Sequence, residues 1–195
     1  MSKPRVHIDT LCGPERTHWI NPLLHNALML MHQDKRFDVI PILRYGIRAY
    51  DLARNGAVEQ AKKERADWLL MVDNDMVPQF NPLDVLAMAG DRAVIGWTYA
   101  LGSGQGDYQI FPPGERSGEF TEVGAVGTGL IAIHSSVWKR IKAPLFRTLS
   151  DGVNYTGEDM YFCQQARNNG FKIWTPKQLI GHMHTVDVTG MVVKR

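Results

Sequence analysis

Two carboxylates one residue apart, Asp73 and Asp75 around Asn74, follow directly on the apolar run Trp68-Leu69-Leu70-Met71-Val72. A D-x-D on its own commonly caps a turn, because Asp and Asn side chains hydrogen-bond their own backbone. This one ends what reads as a strand buried on both faces, the place where α/β sheets bind ligands. Carboxylates this close raise one another's pKa unless a cation neutralises them, and hard ions such as Mg²⁺ or Mn²⁺ take oxygen ligands shared with substrate phosphates. A divalent metal and a diphosphate-bearing substrate are therefore the expected complements. The run is not an EF-hand loop, since Pro78 stands where its glycine should be and no Glu occupies position twelve. A second acidic pair, Glu158-Asp159, opens a helical segment, where negative charge is favourable whether or not it does chemistry. His182 and His184 share a face if their segment is extended, and one of them could complete a metal shell.

The elements that position these groups follow from periodicity. Alternation from Arg5 to Leu11 predicts a first strand, ended by Cys12-Gly13-Pro14, and spacing from Trp19 to Met31 predicts an amphipathic helix. Asp38 to Leu43 reads as a strand that Pro41 restricts to an edge. Ala53, Ala57, Val58 and Ala61 form the apolar face of a helix over 50–66 that leads into the buried strand before Asp73. Asn81-Pro82 starts a short helix through Ala89, and Ala93 to Trp97 and Leu130 to Ile133 read as further strands. Helices are expected over 135–141 and from Glu158 to Asn169, the second closed by Gly170, with short strands near Lys172 to Trp174 and Leu179-Ile180. Residues 101–118 are rich in Gly and Pro and are expected to form a mobile loop suited to act as a lid. Trp97 and Tyr99 border that loop and offer faces for stacking on a sugar or base, although core packing suits Trp97 as well. The alternation of strands and helices predicts a single-domain α/β/α sandwich, Rossmann-like, with a mainly parallel central sheet.

Composition narrows the class. The 195 residues are 44% hydrophobic and 22% charged, with 22 Lys and Arg against 20 Asp and Glu, which suits one globular domain and gives no field that would draw nucleic acid or a membrane. Two cysteines supply neither a disulfide framework nor a zinc spacing, and a reducing, cytoplasmic location is expected. No apolar stretch approaches the ~18 residues that would span a bilayer.

The run Leu52-Ala53-Arg54-Asn55, then a helix, then Ala66 to Met76 with its D-x-D, resembles the nucleotide-binding half of GT-A-fold glycosyltransferases, especially the family-2-like enzymes. The later motifs Gly127-Thr128-Gly129, Gly157-Glu158-Asp159 and Gly181-His182 resemble the acceptor half of the same superfamily. The resemblance implies a nucleotide-sugar half over about 1–100 and an acceptor half over about 119–184. It implies that Thr10, Leu11 and Cys12 cradle the nucleobase, that Arg54 and Asn55 contact the nucleotide, and that Asp73, Asn74 and Asp75 hold ribose and a metal-bound diphosphate. It further implies that one acid of the pair is the base if the transfer inverts, Asp159 before Glu158, the other holding the acceptor or orienting the base, and that His182, in preference to His184, binds the metal. Gly127, Thr128 and Gly129 would line the acceptor pocket, to which Trp97 and Tyr99 would add their faces. The activity implied is transfer of a sugar from a nucleotide-diphosphate donor, expected to be UDP-linked, to a hydroxyl of a glycan, small molecule, protein or modified base. A GT-A-like domain that binds nucleotide sugar without turnover is the alternative. A nucleotidyltransferase ranks below it, since Leu11 to Arg16 supplies no G-x-G phosphate loop.

Overall fold

A strand flanked by helices on both sides needs apolar residues on both faces, and the central strands have them. The computed structural model describes residues 2–12, 20–46, 49–99 and 110–182, with the backbone alone for 110–116 and 182. In chain order the elements are β1 (Arg5–Cys12), α1 (Pro22–Gln33), β2 (Asp38–Tyr45), α2 (Tyr50–Lys63), β3 (Trp68–Asp73), β4 (Met76–Val77), α3 (Pro82–Ala87) and β5 (Val94–Gly96). There follow β6 (Ile110–Ser117), β7 (Phe120–Val126), β8 (Leu130–His134), α4 (Ser135–Arg140), β9 (Leu149–Ser150), β10 (Tyr155–Thr156), α5 (Glu158–Asn168), β11 (Ile173–Pro176) and β12 (Gly181–His182). Eight strands form one sheet in the order β2-β1-β3-β8-β5-β11-β7-β6, drawn from both halves of the chain.

Six of these strands run one way, and β8 and β7 are the two that oppose them. The expected mainly parallel α/β/α sandwich forms. Leu69 and Met71 of β3 and Ile131 and Ile133 of β8 pack with Ala57, Val58 and Ala61 of α2 and Phe162 and Ala166 of α5. The alternate residues Leu70, Val72, Leu130 and Ala132 turn to the other layer and meet Leu24 and Met31 of α1 and Leu83 and Leu86 of α3. Each such fully buried aliphatic side chain contributes roughly 1.5–3 kcal/mol relative to exposure.

The structure differs from the sequence expectation in the second half. Residues 110–117, read as part of a loop over 101–118, form the edge strand β6 instead, paired antiparallel with β7. Pro112 and Pro113 are compatible with an edge, where one side of the strand needs no donors, and the register shifts between Pro113 and Arg116. Residues 101–109 lie outside the described residues. The stretch before Gly127 is the seven-residue strand β7. At the other edge β2 lies where Pro41 places it. Among the described residues no helix is long and apolar enough to cross a membrane.

Candidate active site

The D-x-D turn leaves the sheet between two strands that grip it by backbone bonds. Asp73 donates its N–H to the Gly129 carbonyl at 2.8 Å, and Asn74 donates to the Leu11 carbonyl at 3.0 Å. Asn21, wholly buried, caps α1 by accepting from the Leu24 N–H at 2.7 Å. Its amide nitrogen then donates to the carbonyls of Asn74 and Met76, each at 3.1 Å. One side chain thus fixes the helix start and the far side of the turn. Sequence reasoning passed over Asn21; the signal available was the Asn-Pro pair, the same N-cap and first-turn proline that Asn81-Pro82 displays at α3.

Arg54 is the hub. Its side chain is 3% exposed, and its three guanidinium nitrogens reach three separate motifs. Nη2 donates to Asp73 Oδ2 at 3.1 Å, Nε to Glu158 Oε1 at 3.2 Å and Nη1 to the Thr128 carbonyl at 3.1 Å. Burial alone would disfavour the charged guanidinium, but Asp73 and Glu158 outweigh it and hold its pKa above the ordinary value. The resemblance gave Arg54 a nucleotide contact; here its nitrogens are spent on the protein, because a buried cation beside two carboxylates must pair with them.

Asn55 is also placed away from the expected nucleotide contact. It points down to the loop after α4, where Oδ1 accepts from the Leu145 and Phe146 N–H groups and Nδ2 donates to the Phe146 and Asp51 carbonyls. All four positions of its amide are in use, so it acts as a clamp. Thr10, Leu11 and Cys12 are buried, and Leu11 presents its carbonyl to Asn74. Burial, with Asp73 and Asp9 nearby, pushes the Cys12 thiol up.

The two acids of the site that carry shifts are both held high. Burial pushes Asp73 up to about 6 despite Arg54, with Asp75 and Glu158 adding to the rise. Its Oδ2 rests on Arg54 while Oδ1 is buried with no partner. Asp159 is raised by burial and by Glu158, while its Oδ1 accepts from the Met160 N–H at 2.7 Å. Glu158 is tied to Arg54; Asp159 is not.

Trp97 is a correction to the sugar-pocket expectation. It is completely buried in the layer under α1 and α3, with no face left for a ligand. Tyr99 is buried too, its hydroxyl accepting from the Gly129 N–H at 3.3 Å, and burial pushes its pKa up. Gly129 permits this closeness: a Cβ there would stand 2.9 Å from both Met76 Sδ and Tyr99 Cζ. Thr128 and Gly129 therefore serve the site as backbone, their carbonyls holding Arg54 and Asp73.

The described residues contain no group of three or more His, Cys, Asp and Glu that could hold a metal. They do supply two carboxylates, one with an unpartnered buried oxygen, and the backbone of His182 pairs with Met76, next to Asp75. Carboxylate oxygens are the ligands that hard divalent ions take. His184 lies outside the described residues.

No model of a known family matches the sequence, and no curated protein does. Among solved structures the chain is similar to A197 from STIV, at 18% identity and a TM-score of 0.61, over 93% of this chain and 86% of that one. The likeness shows a shared fold. Weaker likenesses, over nine-tenths of both chains, are to a nucleoside-diphosphate-sugar pyrophosphorylase from Vibrio cholerae RC9, at 11% identity and a TM-score of 0.48, and to a glycosyltransferase involved in the glycosylation of the major capsid of PBCV-1, at 16% and 0.44. Their coverages are 90% of this chain and 92% of the first, and 92% of this chain and 94% of the second.

Proposed function

We propose that the protein is a glycosyltransferase that moves a sugar from a nucleotide-diphosphate donor, a UDP-sugar, to an acceptor hydroxyl. The observation that carries this reading is the convergence on Arg54, which draws the D-x-D, the G-T-G backbone and the G-E-D helix start into one site. Arg54 neutralises one oxygen of Asp73 and one of Glu158. The surplus negative charge of Asp73 and Asp75 faces the end of the sheet where a donor would lie.

Asp73 and Asp75, with His182 beside them, would hold Mn²⁺ or Mg²⁺, which when bound supplies positive charge to the departing nucleotide diphosphate. Asp159 takes the proton of the acceptor hydroxyl: Arg54 spends its nitrogens on Asp73, Glu158 and Thr128, and burial outweighs the guanidinium's charge to raise the Asp159 pKa. Glu158 is the positioning residue, its carboxylate locked on Arg54 so that the helix start, and Asp159 with it, keeps one orientation relative to the D-x-D.

A thermal-shift panel tests this with UDP-, GDP-, TDP- and CMP-sugars, each with Mn²⁺ or EDTA, repeated on Asp75→Ala. A ligand at about 100 times its Kd adds roughly 2.7 kcal/mol, or about 5–10 °C for a domain of this size. The expected result is such a shift with the UDP class, present with Mn²⁺, absent with EDTA and absent in the variant. A folded protein that responds to none of the donors overturns the transferase reading and the nucleotide-sugar-binding alternative together.

A further inference from the structure

The hairpin formed by β9 and β10 leads straight into Glu158 and plays no part in holding the D-x-D. It is nevertheless built stiffly. Asp151 Oδ1 accepts from the Val153 and Asn154 N–H groups at 2.9 and 2.6 Å, and Oδ2 accepts from Asn154 Nδ2 at 2.9 Å. Those bonds hold the Asp151 carboxyl at about 2. At the root of the hairpin the Thr148 N–H donates to Asp51 Oδ2, next to the Asn55 clamp on Leu145 and Phe146.

On this fixed arm stands Tyr155, 71% exposed. If Gly157 carried a Cβ, that atom would lie 2.7 Å from Asp159 Oδ1 and 3.9 Å from Tyr155 Cε1. The Asp159 carboxylate thus packs closely over Gly157, where a side chain would collide with it, and the edge of the Tyr155 ring lies against the same residue. Beside the hairpin a cleft of about 430 Å³ runs between α5 and β7, with Thr156, Met160, Gln164 and Arg167 among its walls. Cys163, in the same wall, feels the charges of both Asp159 and Arg167, so the cleft and the acid share one neighbourhood.

Resting on the transferase reading, we propose that Tyr155 is the stacking platform for a carbohydrate acceptor, holding a pyranose ring beside Asp159 while the cleft along α5 takes the adjoining sugar. A pyranose has an apolar C–H face and a rim of hydroxyls. The site offers the matching pair: an aromatic face, and a rim of Asp159, Thr156, Gln164 and Arg167. An alkyl chain would cover the ring equally well but would strip water from those polar groups without replacing it. Tyr155 is thus a positioning residue for the acceptor, and Asp159 is the group that meets the hydroxyl.

Saturation-transfer NMR tests this with trisaccharides of glucose, N-acetylglucosamine, mannose and galactose, and with 1-octanol as the aliphatic probe, all in the presence of UDP and Mn²⁺. Binding of at least one trisaccharide is expected, with saturation concentrated on one face of a ring. Tyr155→Phe should keep the affinity within about twofold and Tyr155→Ala should weaken it about three- to tenfold. Because the residue is exposed, both variants are expected to fold, which circular dichroism checks. Absence of saccharide binding, equal binding by Tyr155→Ala, or binding of octanol in place of saccharides each overturns the proposal. The donor panel separates the two failures: a nucleotide shift without saccharide binding sinks the platform alone, whereas Tyr155-dependent saccharide binding in a protein that takes no nucleotide removes the acceptor role together with the transferase reading.

Discussion

Helix α2 covers two buried ionic clusters, and they differ in whether their charges balance. Toward its C-terminal end, His7 and Asp9 of β1 meet Arg44 of β2 and Glu64. His7 Nδ1 contacts Glu64 Oε2 at 2.5 Å, His7 Nε2 contacts Asp9 Oδ2 at 3.2 Å, and Arg44 Nη2 donates to Asp9 Oδ2 at 2.6 Å. Burial works against a charged His7, but its hydrogen bonds to Asp9 and Glu64 outweigh that and raise its pKa. Arg44 and a protonated His7 together balance the two acids, and Gln60 occupies the other Glu64 oxygen. Toward the other end, Arg54 alone meets both Asp73 and Glu158, with Asp75 and Asp159 nearby, and Asp73 Oδ1 is left without a partner. A cluster that only braces the fold can close on itself. One that must accept a cationic or phosphate-bearing ligand keeps a surplus of one sign, and that surplus is the more telling mark of function than burial itself.

Removing the cations would break this contrast most sharply. Arg54→Met strands two carboxylates and is expected to cost about 3–5 kcal/mol, or on the order of 10 °C in Tm. Arg44, partly open with a 21% exposed side chain and hydrogen-bonded to Asp9, should cost less when replaced by Met, about 1.5–3 kcal/mol. Urea unfolding of both variants measures the difference. A cost under about 1 kcal/mol for Arg54→Met would mean that the hub does not tie the halves together.

The acids should then differ in sign. Asp9→Asn removes a charge from a balanced set and is expected to destabilise by about 1.5–3 kcal/mol while leaving the nucleotide-dependent thermal shift intact. Asp73→Asn relieves a surplus, so stability should stay within about 0.5 kcal/mol of the parent or rise, while the nucleotide shift disappears. Equal destabilisation by the two would show that the second cluster is also a brace.

The same contrast explains how much could be read from the sequence. The D-x-D, the G-E-D start and the apolar faces of β3 and α2 were legible because strand and helix periodicity is local, and the residues stand in the order expected of the fold. What joins them was not. Arg54 pairs with Glu158 across 104 positions of chain, and Asn55 with Phe146 across 91, so no window of sequence contains both partners. His7 reads as one polar residue in a strand until β2 and the end of α2 close around it. Strand β6 was missed for a different reason: Pro and Gly lower strand propensity in general, yet an edge with a register shift accommodates both.

The smallest effect belongs to His7, and it tests whether the first cluster is balanced at all. Its pKa in the folded protein is raised above the ordinary 6.5, so its charged form contributes stability that is fully present below that value and is lost as pH rises through the folded pKa. Unfolding free energy measured in urea should therefore decline above pH 6.5 in the parent protein and decline less in His7→Gln, with the difference between the two profiles isolating this one group. A parent profile that instead rises relative to His7→Gln as pH climbs through 6.5 would mean that His7 is neutral in the fold. The cluster would then carry a surplus of its own, and the imbalance around Arg54 would no longer set the candidate active site apart.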